Sequence, residues 1–298
     1  MNQPNFFIVG APKCGTTALS DYLREHPQVF VSEPKEPHFF ATDFEKYRIT
    51  KTPAQYQQLF DSRNESAVGE ASVFYLYSTE AIPNILRYRP DAKIIVMVRK
   101  PQEAIYSFHS QLLYTADEEE TDFVTAWRLQ SDRAQGRHIP KLCREPALLQ
   151  YAEVGFFGKQ VARLYEIFPK QQIEVILFDD FVQHTKETYE RVIQFLEVES
   201  DRREDFAVIN SNKVHKSRFV GQFAAKPPES LTAVALKAKK ILGIEELGII
   251  STLKKFNTQK SKRDPLKPAF KEELTATFQE DIELLGNTIQ RDLSHWLT

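Results

Sequence analysis

The chain has 298 residues, 42% of them hydrophobic, and a formal net charge of -2. That suits a globular core of one large domain or two small ones, and a balance so near neutral, with no obviously basic face, excludes a nucleic-acid partner. No apolar run reaches the roughly 18 residues of a membrane-crossing helix, residues 1–7 lack the build of a signal peptide, and two cysteines, Cys14 and Cys143, exclude a disulfide framework and fit a reducing, cytoplasmic setting.

Residues 6–19, FFIVGAPKCGTTAL, read as a buried strand, a loop opened by Gly10 and Pro12, and a helix starting at Thr16. Strand, tight loop and helix N-terminus in that order cradle an anion. Backbone N–H groups converge, the helix dipole favours negative charge, and Lys13 adds a full positive charge. Gly10 and Gly15 have the spacing of the nucleoside triphosphate P-loop, but Thr16 stands where that loop has its lysine. The lysine sits inside the loop instead, beside the bridging oxygen of a shorter anhydride. Cys14, close to a helix N-terminus, lies where a thiol's pKa is lowered.

Pro34 and Pro37 stiffen residues 32–40, SEPKEPHFF, into a loop that gathers Lys35, Glu36 and His38 ahead of Phe39 and Phe40. Residues 67–77, AVGEASVFYLY, read as a strand that delivers Glu70 and Ser72 into a bed of aromatic residues. Residues 93–98, KIIVMV, have the unbroken apolar character of a strand buried on both faces. Arg99 follows at its carboxyl end, where open α/β sheets bind ligands, and Ser107 lies two turns into the next helix. An arginine fork with a hydroxyl suits a phosphate monoester. His109, two residues beyond Ser107, points about 200° away from it on a helix.

The acidic run at residues 117–120 and Asp122 would repel a polyanionic glycan. Residues 173–178, IEVILF, form a further buried strand and residues 187–196 a helix. The polar loop at residues 210–218, NSNKVHKSR, precedes a C-terminal helix with Phe278, Ile282 and Leu285 on one face, then Leu293 and Trp296. No His/Cys cluster has metal-ligand spacing.

Pro12, Lys13, Gly15, Thr16 and Thr17 resemble the P-K-x-G-[ST]-[ST] loop of the sulfotransferase family, which grips the 5′-phosphosulfate of 3′-phosphoadenosine 5′-phosphosulfate (PAPS). Arg99, Pro101 and Ser107 resemble that family's site for the donor's 3′-phosphate. Residues 35–40 resemble the K-E-x-H-F-F motif of the glycan-type members, whose glutamate is the base. The resemblance, closest to bacterial members, implies an α/β fold with a P-loop-like central parallel sheet flanked by helices, a single domain over residues 1–298. It implies Glu36 as general base, His38 as its companion and Lys13 as stabiliser of the leaving phosphate. Cys14 falls within the donor loop, and Lys216 and Arg218 match a late basic loop that closes the donor site. Lys35, Glu70 and His109 are placed toward the acceptor. Related glycan enzymes carry Glu-Lys where this chain has Glu70-Ala71, so one cation of the site is missing.

The implied reaction is in-line transfer of a sulfonate to an acceptor hydroxyl or amine, without a metal, releasing 3′-phosphoadenosine 5′-phosphate (PAP). The acceptor is a small molecule, a lipid or a glycan, and the acidic run favours a neutral or amphiphilic one. Two other readings are a P-loop nucleotide kinase, disfavoured by the displaced lysine, and a non-catalytic nucleotide-binding regulator, disfavoured by Glu36.

Overall fold

In the computed structural model, which describes residues 3–61, 65–207, 213–215, 258–260 and 263–298, five apolar runs pair into one sheet. They are β1 (Phe6–Gly10), β2 (Val29–Val31), β3 (Ala67–Ala71), β4 (Lys93–Val98) and β5 (Ile173–Leu177). The order is β2-β3-β1-β4-β5 and every pairing is parallel. β1 and β3 are buried at every position, as a sheet covered on both faces requires. The α/β fold read from the sequence is therefore the one observed.

The helices that matter for the site follow strand ends. They are α1 (Thr16–Arg24) after β1, α2 (Pro53–Gln58), α3 (Ala81–Tyr88) and α4 (Pro101–Thr115) after β4. α2 starts with a reciprocal cap between Thr52 and Gln55 and with Pro53 in its first turn, both strong start signals. Because β1 lies between β3 and β4, the strand order reverses there. The carboxyl ends of these three strands flank the crevice where such sheets take ligands.

The strand expected over residues 67–77 is shorter than that: β3 stops at Ala71 and the chain turns back across the end of β1. Ser72 N donates to Ile8 O (3.0 Å) and Leu76 N to Val9 O (2.8 Å). Gly10 permits the close approach, since a Cβ there would sit 2.9 Å from Leu76 Cβ.

The chain divides into two compact units, the first comprising Met1–Ile105, Ala152–Asn210 and Pro268–Thr298. In it the C-terminal helix Pro268–Ile289 buries Phe278, Ile282 and Leu285, the face expected from the sequence. Its Asp281 accepts from Gly158 N (2.7 Å) and Lys159 N (2.9 Å), capping the helix Phe157–Ile167. The second unit comprises Tyr106–Tyr151 and Ser211–Lys267 and includes the antiparallel pair Lys213–His215 with Thr258–Lys260. Here two residues of the acidic run are buried and paired, while Glu119 and Asp122 stay exposed. Glu118 is buried against the Arg133 fork at 2.6 and 2.7 Å and accepts from Tyr151 (2.6 Å), and Asp117 pairs with Arg144. The repulsion expected of these two carboxylates is thus spent on neighbouring arginines.

Gly69 lies at the tightest point between β1 and β3, where an added Cβ would stand 2.4 Å from the Phe6 carbonyl oxygen. That oxygen is backbone of the neighbouring strand and cannot yield without parting the sheet. Gly69→Ala should cost at least about 1–3 kcal/mol, as overpacking does. The measurement is a urea unfolding curve, with the midpoint lowered and the slope unchanged. A wild-type midpoint would show that the two strands can separate there.

Candidate functional site

The loop after β1 has the backbone of an anion cradle. Lys13 (φ 65) and Gly15 (φ 95) are left-handed, and Gly15 caps α1 without a side-chain hydrogen bond or an acidic residue in the first turn. The N-cap residue therefore offers no side-chain acceptor to the first N–H groups of α1, the kind of donor set that suits an anion. Gly15 must be glycine for a second reason. A Cβ would come within 3.0 Å of the Phe178 ring and 3.2 Å of Met97 Cε. Pro12, Cys14 and Thr16 are buried, Lys13 is partly buried and Thr17 exposes its hydroxyl.

Cys14 corrects an expectation. Its thiol is fully buried and bonds to Pro12 O at 3.4 Å. Burial pushes it up to about 12, against the opposing pull of Arg99 and Lys13. Desolvation outweighs the nearby cations, so the buried Cys14 thiol stays protonated and fills the cradle.

The 32–40 loop closes on that cradle. Lys35 Nζ donates both to Thr17 Oγ1 and to Glu36 Oε1, each at 3.0 Å. Glu36 (φ 62) and His38 (φ 51) are left-handed, conformations that surrounding contacts must hold. Three backbone donors do so: Glu36 N to Ala71 O (3.1 Å), His38 N to Ser72 Oγ (3.1 Å) and Phe40 N to the Tyr75 hydroxyl (3.2 Å). Both hydroxyls are in turn oriented by Glu70. Its carboxylate accepts from Ser72 (2.6 Å), Tyr75 (2.9 Å) and Tyr56 of α2 (2.7 Å). Glu70, placed toward the acceptor from the sequence, is 0% exposed and meets no acceptor. It anchors the loop that carries Glu36.

Glu36 and Glu70 are driven apart electrostatically. Burial pushes the Glu36 carboxyl up, but the His38 ring and the Lys35 ammonium more than offset this and hold it at about 2. Its side chain is 34% exposed, open to an incoming molecule. Glu70 rises to about 7, because burial outweighs the three hydroxyl donors. His38 is buried, stacked on Phe74 at 5.1 Å, with Nε2 3.6 Å from Glu36 Oε2 and no closer polar partner for either ring nitrogen among the described residues.

Arg99 stands at the end of β4, its guanidinium 4.5 Å from the Phe178 ring centroid and its Nε 3.0 Å from Glu103 Oε2. Phe178, at the end of β5, thus lies under both Gly15 and Arg99, a role the sequence did not show because an aromatic residue after a strand reads as core. Glu103, four residues after Arg99 in α4, was legible as an i,i+4 pair. In the second unit Ser107 is buried on α4. His109 is also buried there, with Nε2 2.8 Å from Glu120 O and its ring against Phe123 and Tyr151. Burial lowers its pKa, and it is a core residue rather than a base or an acceptor contact. Lys216 and Arg218 lie outside the described residues. Among the described residues no group of His, Cys, Asp and Glu side chains is arranged to share a metal, and no helix is long and apolar enough to cross a membrane.

An open parallel sheet with an anion cradle after its first strand and an arginine after its fourth defines a P-loop-like α/β protein. Residues 3–286 match the sulfotransferase domain, and the chain belongs to the sulfotransferase family. It is 28% identical to mouse carbohydrate sulfotransferase 15 over 246 residues, 65% of this chain and 43% of that protein. It is 26% identical to human heparan sulfate glucosamine 3-O-sulfotransferase 5 over 199 residues, 65% of this chain and 53% of that one. The chain thus spans about half the length of these curated relatives. Among solved structures, a sulfotransferase from Alicyclobacillus acidocaldarius matches over 100% of both chains with 28% identity and a TM-score of 0.74.

The raised Glu70 makes stability depend on pH. Its carboxyl holds a proton up to about 7 in the folded chain against an ordinary 4.5, so folding takes up a proton between these values. Stability then falls as pH rises through that window. Glu70→Gln cannot titrate, so between about pH 5 and 8 the wild type should lose stability relative to the variant, read by urea unfolding. A gap that stays constant across this range would show that Glu70 is ionised throughout.

Proposed function

We propose that the protein transfers a sulfonate from PAPS to an acceptor hydroxyl, with Glu36 as general base. The observation that carries this reading is the placement of Glu36. It is partly exposed on a loop that meets the first turn of α1 through Lys35 and Thr17, whereas its rival Glu70 is sealed in the core.

The residues present fit the donor. An uncapped helix start at Gly15 and the Lys13 ammonium suit its 5′-phosphosulfate, and the Arg99 fork suits its 3′-phosphate. The step is an in-line displacement. The acceptor oxygen forms a bond to sulfur, and the bond from sulfur to the 5′-phosphate oxygen breaks with its electron pair on that oxygen. The acceptor's proton passes to the Glu36 carboxylate. Lys13 and the cradle N–H groups neutralise the charge that grows on the leaving oxygen, so positioning and fixed charge do the work that magnesium does in phosphoryl transfer. For the acceptor we favour a carbohydrate hydroxyl. Relatives carry that substrate in their names, and two residues of the acidic run that argued against a polyanionic glycan, Asp117 and Glu118, are tied to Arg144 and Arg133. Two buried cysteines that are not joined in a disulfide support a reducing compartment for this chain.

Calorimetry tests the donor assignment. PAP should bind more tightly than adenosine 5′-phosphate by the worth of a charge-assisted contact, about 1.5–3 kcal/mol, and Arg99→Ala should erase the difference. Equal affinity for the two nucleotides in the wild type would remove Arg99 from the donor site.

A further inference from the structure

A carboxylate held at about 2 is ionised at any ordinary pH but is a weak proton acceptor, which sits badly with the role of base. The geometry supplies a way out. Among the described residues the titratable groups facing Glu36 are Lys35, at 3.0 Å from Oε1, and His38, at 3.6 Å from Oε2. His38 is fixed, being buried and stacked on Phe74. Lys35 is not confined in this way. Its side chain is 21% exposed, and its other partner is the neutral hydroxyl of Thr17, 3.0 Å away on the first turn of α1. Thr17 belongs to the cradle, so the ammonium stands between the base and the place where an anion would be gripped.

Resting on the donor and base assignments above, we infer that Lys35 is a shared cation, which pairs with Glu36 until the donor's sulfonate draws it toward Thr17 and so frees the carboxylate for the acceptor's proton. A sulfonate oxygen offers the ammonium a charged partner on the Thr17 side, where it otherwise has only a hydroxyl. Parting Lys35 from Glu36 returns basicity to the carboxylate, since an opposite charge within hydrogen-bond reach holds a carboxyl down by about 1–3 pH units. The same movement adds positive charge to the transferring group as the bond to the leaving oxygen breaks, offsetting the cation missing at Ala71. Base strength is thereby tied to donor occupancy, and an acceptor bound without donor faces a quenched carboxylate.

The test follows the Glu36 carboxyl by carbon NMR on glutamate-labelled protein, its signal assigned by its disappearance in Glu36→Gln. The probes are PAP and adenosine 3′-phosphate 5′-diphosphate, whose terminal phosphoryl group stands in for the sulfonate. The diphosphate should raise the Glu36 titration by about 1–3 pH units and PAP by much less. In Lys35→Met, where His38 still faces the carboxyl, the titration should start above the wild-type value and move little with either ligand. That variant should keep its affinity for PAP yet lose about ten- to a hundredfold in turnover, the worth of one charge-assisted contact in the transition state. If both nucleotides bind but the Glu36 titration stays put, the coupling is wrong while the donor site stands. Lys35→Met turning over at the wild-type rate or faster would also overturn it, leaving Lys35 a mere ion-pair partner. Failure of either nucleotide to bind would overturn the donor assignment and the coupling with it.

Discussion

The site depends on one carboxyl, that of Glu70, sealed from solvent beneath it. Glu70 accepts three hydroxyl hydrogen bonds inside a wholly apolar setting, and two of those hydroxyls, of Ser72 and Tyr75, accept the backbone N–H groups of His38 and Phe40. A hydroxyl whose proton is committed to a Glu70 oxygen must present its lone pairs elsewhere, so the Glu70 carboxyl sets the direction of both acceptors. This fixes a loop whose functional residues occupy left-handed backbone conformations, which a loop without such anchors would leave. The chain turn after Ala71, made possible by Gly10, is what brings Tyr75 back over Glu70.

Around that anchor the two glutamates divide their roles by environment. Burial raises Glu70 toward neutrality and seals it; two cationic or polar neighbours lower Glu36, which stays open. Similar carboxyls thereby become a structural tie and an ionised group beside an anion cradle. Phe178 joins the cradle to Arg99 by filling the space under both, which explains why Gly15 carries no side chain and gives the guanidinium a ring to sit over.

Much of this was legible in the chain. The unbroken apolar run at residues 93–98 became β4 without adjustment, and the displaced lysine at Lys13 marked the cradle. The closeness of Lys35, Glu36 and His38 followed from the proline-stiffened loop, and His38 as companion of Glu36 from the family resemblance. Illegible were the contacts that depend on tertiary closure. Nothing in the sequence near Tyr56 announces that its hydroxyl reaches Glu70, and the aromatic run after Ala71 hid a turn because Val, Phe and Tyr read as strand. Cys14 and His109 differ from their expectation for one reason: burial, invisible in a local motif, outweighed the Arg99 and Lys13 charges at the first and confined the second to the core. The arginine partners of Asp117 and Glu118 were also illegible, since Arg144 and Arg133 are distant enough in sequence to escape notice.

The central claim is that Glu36, and not the anchoring Glu70, takes the acceptor's proton. Single-turnover transfer of labelled sulfonate by Glu36→Gln, on whichever acceptor the wild type accepts, tests it most directly. The account predicts a loss of about 10²–10⁴-fold in that step with PAP affinity unchanged. A variant that keeps more than about a tenth of the wild-type rate, against that expected loss, would contradict it.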